Sequence, residues 1–147
     1  MWFCLWSAVS LDVCNGGVYS FSGTSLYVIG PYAPNQTCTR LVDQSSYARS
    51  KATLQITALT MGAGDWLKVY DGKNATATLL VTYTSASTAF SLITGTTSYL
   101  YIVLYAGLTR ASNHGVSINV GCMPSESSLL LLRWRHSHAT ADLMAFR

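Results

Sequence analysis

The stretch "DWLKVYDGKNAT", residues 65–76, decides how the chain is read. Its first half alternates, with Leu67 and Val69 on one side and Trp66, Lys68 and Tyr70 on the other. A two-residue period of apolar and polar side chains marks a half-buried strand. Asp71-Gly72 follows, a dipeptide favoured in hairpin turns because both residues tolerate positive φ. The second half then reads as an exposed loop. Within it, Asn74-Ala75-Thr76 is an N-glycan acceptor triplet.

The same alternation extends in both directions. "TLQITAL" places Leu54, Ile56 and Ala58 on one side, "LLVTYT" groups Leu79, Val81 and Tyr83, and "AFSLIT" pairs Phe90 with Leu92. "YLYIVLY" sets Leu100, Ile102 and Leu104 against Tyr99, Tyr101, Val103 and Tyr105, and "GVSINVGC" aligns Val116, Ile118 and Val120. Gly, Asn, Ser and Asp fall between the runs, where turns need them. No window carries a helical stripe. Many short strands without helices predict an all-β chain, a sandwich or a barrel.

Composition narrows the function classes. A chain of 147 residues, half of them hydrophobic and 10% charged, suits one packed domain and not a disordered segment. The net charge of +3 is spread thinly. It offers neither the basic stripe that tracks phosphates nor a basic helical face for a membrane surface, so no nucleic-acid partner is expected. The cysteines, at 4, 14, 38 and 122, lack C-x-x-C spacing, which argues against zinc and thioredoxin-type chemistry. They fit disulfides in an oxidising compartment, or else buried free thiols. Residues 1–13, apolar from Trp2 to Val9 without a preceding Lys or Arg, read as a signal-peptide remnant or a first strand. No run approaches the ~18 apolar residues of a membrane span. From Met123 the alternation stops, and 123–147 reads as a poorly ordered or weakly helical tail.

The order of these features resembles the CUB domain, an extracellular, jelly-roll-like antiparallel β-sandwich module. "DWLKVYDG" is similar to that family's Asp-led strand ending in Tyr-Asp-Gly. "PYAPNQTC" resembles the loop before the family's second cysteine. "CTRLV" resembles the strand which that cysteine opens, with Val42 kept and Arg40 where a tryptophan is usual. "YLYIVLYAG" and "HGVSINV" look like the last two strands, with Val116 in place of an aromatic. The resemblance covers 14–122. It implies a Cys14–Cys38 disulfide, while the family's second disulfide has no cysteines here. Cys122 is left to pair with Cys4, with another domain, or with nothing.

The resemblance also implies a place to look for calcium, held in many members by three acids. Only Asp65 matches one of them; 44–64 and the residues after Tyr105 up to Glu126 hold no other. One carboxylate does not anchor an ion that takes roughly six to eight oxygens. Asp65 is therefore expected to be structural, accepting from loop amides or a tyrosine hydroxyl, and neither a metal nor a cofactor is expected. Catalysis finds little support. Asp43, Asp65, Asp71 and His114 are the titratable candidates in 14–122 for acid–base work, no serine lies in a G-x-S-x-G elbow, and His136 and His138 have no third ligand nearby.

Asn35-Gln36-Thr37 is a second glycan acceptor triplet. Tyr99, Tyr101 and Tyr105 share one face of one strand and form a candidate binding surface, because tyrosine gives contact area at low entropic cost; a neighbouring sheet or the tail covering them is the alternative. The reading is a non-catalytic extracellular module, part of a larger secreted or cell-surface protein, that binds a protein or a glycan. The alternatives are an adhesin-like carbohydrate-binding sandwich outside the family, and an intracellular β-domain with free thiols.

Overall fold

The computed structural model describes residues 18–19, 24–29, 34–46, 50–88, 91–108 and 115–124. The readings of residues 1–13, Cys4, Cys14, Phe90, His114 and the tail beyond Pro124 fall outside them. Nine strands appear among the described residues and no helix. They are β1 (Val18–Tyr19), β2 (Thr24–Ile29), β3 (Thr37–Asp43), β4 (Ser50–Thr60), β5 (Trp66–Asp71), β6 (Thr78–Thr84), β7 (Leu92–Thr94), β8 (Tyr99–Tyr105) and β9 (Gly115–Pro124). They form a five-stranded sheet in the order β1-β3-β8-β5-β6 and a four-stranded sheet in the order β2-β9-β4-β7. The chain is an all-β sandwich. All pairings are antiparallel except one: β1 runs parallel to β3.

The core lies between the sheets. Leu67, Val69, Leu100, Ile102 and Leu104 from one sheet meet Leu54, Ile56, Val116, Ile118 and Val120 from the other. Burying these aliphatic side chains is the main favourable term for such a sandwich. On β5 and β9 the expected alternation holds residue by residue, and on β8 it holds except that Val103, expected on the outer face, is buried. On β3 the buried positions are Cys38, Arg40 and Val42, so the arginine takes an inward-facing position at 5% exposure.

Three strands differ from the alternation. In β4 the register shifts between Ile56 and Ala58, leaving Thr57 as an extra residue whose hydroxyl donates to the Ser117 carbonyl at 3.2 Å. Beyond that bulge Ala58 faces out and Leu59 packs on the core instead. In β6 a second shift makes Leu80 the extra residue, and Leu79 pairs with Tyr70 instead of joining Val81 and Tyr83 on the inner side. Leu79 is 47% exposed while Tyr83 is buried. In β7 Ile93 enters the core and Leu92 faces solvent. The last strand also runs past the expected boundary at 122, taking in Met123 and Pro124.

The reversal after β5 is longer than a two-residue turn. Asp71 still pairs with Thr78, so the connection spans 72–77. Gly72 is required there because a Cβ would lie 2.6 Å from the Ala77 Cβ. Asp71 belongs to the strand end and not to the turn.

Candidate functional site

The face of the five-stranded sheet turned away from the core carries most of its described aromatic side chains, Tyr83 alone of them pointing into the core. Paired residues on neighbouring strands project to the same side, so register assigns the face. One row is Thr37, Tyr105, Trp66 and Thr84; the next is Thr39, Val103, Lys68 and Thr82; the third is Leu41, Tyr101, Tyr70 and Leu79. Asp43 and Tyr99 begin a fourth. Tyr99, Tyr101 and Tyr105, singled out from sequence, therefore lie together on this outer face, each half-buried. The four-stranded sheet packs against the opposite face, so it does not cover them.

The sequence linked the tyrosines along one strand but not their neighbours across strands. Trp66 and Tyr105 stack with ring centroids 5.4 Å apart and planes 22° from parallel. The Lys68 Nζ lies 4.5 Å from the Trp66 ring centroid, and the Lys73 Nζ lies 4.3 Å from that of Tyr99. Both are within the range of cation–π attraction. Asp43 completes the charged rim beside Tyr99. The Ser45 hydroxyl and then the Ser45 amide hold its carboxyl below the ordinary range, with a smaller pull from Lys73.

At the Tyr105 end three loops meet. Asp65 is 3% exposed; its carboxylate accepts from the Gly62 amide at 2.7 Å and from the Gly107 amide at 2.6 Å. This is the loop-amide role expected of it. Gly107 fits the close approach: a Cβ there would lie 3.2 Å from the Ala63 carbonyl oxygen, the Asp65 Oδ1 and the Gly64 carbonyl carbon. The loop before β3 is tied in by the Asn35 amide donating to the Gly107 carbonyl at 3.1 Å and the Ala106 amide to the Gln36 carbonyl at 2.8 Å. Among the described residues no three His, Cys, Asp or Glu side chains gather as a metal ion needs.

Both glycan acceptor triplets lie in described segments. Asn74 is exposed in the 72–77 connection, and its Oδ1 accepts from the Thr76 amide at 3.0 Å and the Thr76 hydroxyl at 2.6 Å. Asn35 is also exposed and adopts a left-handed φ of 57°, a conformation that asparagine tolerates better than most residues. Its Oδ1 accepts from the Tyr105 hydroxyl at 3.3 Å. Cys38 and Cys122 are disulfide-bonded, and no cysteine among the described residues is free. Among those residues no helix is long and apolar enough to cross a membrane, which says nothing of β-barrels. No protein-family model matches the chain, and no curated protein matches it.

Proposed function

We propose that the chain is a non-catalytic, extracellular CUB-like recognition module, and that it binds a partner protein through the outer face of the five-stranded sheet. The observation that carries this reading is a pair of aromatic rows on one face, Trp66 with Tyr105 and Tyr70 with Tyr101, flanking the Lys68–Val103 row, all four rings half-buried on a sheet whose other side is already buried. Tyrosine and tryptophan are enriched at interaction sites, where they give contact area at low entropic cost. The bonded state of Cys38 and Cys122 supports an oxidising compartment over an intracellular one. The resemblance supports a Cys14–Cys38 pairing.

A protein is favoured over a glycan by how the rings are used. A sugar binds by laying its C–H face on an open ring face. Here the Trp66 ring packs against Tyr105 and carries the Lys68 ammonium, and Tyr99 carries that of Lys73. The face then suits a surface that brings carboxylates to the lysines and apolar groups to Leu41 and Leu79.

The test is a panel of secreted and cell-surface ectodomains beside a glycan array, probed with the secreted chain. Ectodomain binding is expected to be lost in a Trp66→Ala/Tyr101→Ala variant of unchanged circular dichroism. It is expected to survive Gln55→Ala on the exposed side of the other sheet. Glycan-array binding alone would favour the carbohydrate-binding reading. Ectodomain binding indifferent to Trp66 and Tyr101 would refute the assigned face.

A further inference from the structure

We propose that an N-linked glycan on Asn35 lies over the Trp66–Tyr105 end of the outer face, so that occupancy of this one acceptor decides how much of the recognition surface is open. The inference rests on the reading of that face as the recognition surface and of the chain as secreted.

The geometry around Asn35 carries it. The residue is exposed, it opens an Asn-Gln-Thr triplet, and its side-chain oxygen accepts from the Tyr105 hydroxyl at 3.3 Å. Nδ2, the atom that takes the sugar, is bonded to the same carbon as that oxygen. In the transfer, one N–H of Nδ2 is exchanged for a bond to the anomeric carbon of N-acetylglucosamine. The proton leaves to base, and the lipid diphosphate of the oligosaccharide donor departs from that carbon. Oδ1 is untouched, so it still accepts from Tyr105. The first sugar is thereby held beside the Tyr105 ring, which stacks on Trp66 at 5.4 Å between centroids.

The backbone limits how far the sugar swings away. The Asn35 amide donates to the Gly107 carbonyl, and the Gln36 carbonyl accepts from the Ala106 amide, pinning the acceptor loop to the residues that follow Tyr105. The Asn74 triplet differs. Its Oδ1 is taken by Thr76 within its own loop, so nothing directs a sugar there toward the sheet face. Asn35 is thus the acceptor that covers the surface, and Asn74 is a bystander.

The test uses the full chain, secreted from mammalian cells behind a supplied signal, with hydroxyl-radical footprinting read by mass spectrometry. It compares the wild type with Thr37→Ala, which abolishes the triplet and keeps Asn35 and its bond to Tyr105. Thr37→Val, better suited to a strand, serves if the alanine variant does not fold. Oxidation of Trp66 and Tyr105 is expected to rise several-fold in the variant, with Tyr99 unchanged and with Thr76→Ala having no such effect. An unmodified Asn35 in the secreted wild type, or equal oxidation with and without the glycan, would overturn the proposal. Neither reading needs a partner. Shielding seen together with an empty ectodomain panel would therefore sink the proposed function and leave the glycan's position standing.

Discussion

Asp71 ends β5 in one sheet and reaches the segment that carries the chain from β7 in the other sheet back to β8. Its carboxylate accepts from the Thr96 amide at 2.9 and 3.0 Å, the Thr96 hydroxyl at 2.7 Å, and the Thr97 amide and hydroxyl at 3.4 and 3.3 Å. Burial pushes its pKa up, but the Thr96 and Thr97 hydrogen bonds together outweigh burial, and the net displacement is downward. A carboxyl whose folded pKa lies below its unfolded one stabilises the fold above the unfolded value, about 4. That contribution disappears as pH falls through the folded value. The group is half-buried at the surface, and solvent screening limits the effect to about 1 kcal/mol. Asp71→Asn is expected to lower stability by that amount at pH 7, and the gap to the wild type should close as pH drops from 4 toward 2. Thermal unfolding followed across that range measures it. A gap of constant size would mean that the charge has no part in the clamp.

At the scale of the strand, β5, β8 and β9 were legible because nothing interrupts their two-residue period. β4 was legible up to its bulge and β6 only beyond it. The extra residue, Thr57 in one and Leu80 in the other, leaves no mark in a pattern of mixed Thr, Ala and Leu, yet the side chains on its two sides fall out of phase, so that Ala58 faces out after one bulge and Leu79 before the other. The expected stability cost follows the register and not hydrophobicity. Ile93→Ala removes a side chain from the core and is expected to cost about 2–4 kcal/mol, while Leu92→Ala and Leu79→Ala should each cost less than about 1 kcal/mol. Urea midpoints of the three variants decide the matter, and a Leu79 cost matching that of Ile93 would contradict the bulge in β6. The candidate site divides in the same way. Tyr99, Tyr101 and Tyr105 were legible along one strand. Their neighbours were not, because no local pattern says that β5 pairs with β8 or brings Asn35 to Tyr105, 70 positions away.

At the scale of the molecule, each sheet carries one of the described disulfide cysteines: Cys38 on β3 of the five-stranded sheet and Cys122 on β9 of the other. A domain of this size buries enough apolar surface to fold without cross-links, so the bonds add to the core and do not replace it. In the pairing that the resemblance implies, Cys14 and Cys38 are 38 − 14 = 24 positions apart. Closing such a loop restricts the unfolded chain by roughly 3 kcal/mol. With Cys122 also bonded, full reduction is expected to lower the unfolding temperature by on the order of 10–20 °C. The strands should nonetheless reform on cooling, because the core side chains are unchanged. A peptide map of the unreduced, secreted chain gives the pairing, and melting with and without reductant gives the contribution. A Cys14–Cys38 peptide with a large drop on reduction supports a sandwich cross-linked for an extracellular setting. Cys38 joined to Cys4, or a melting temperature indifferent to reductant, removes the covalent argument for the CUB-like reading. The outer-face proposal would then rest on its aromatic geometry alone.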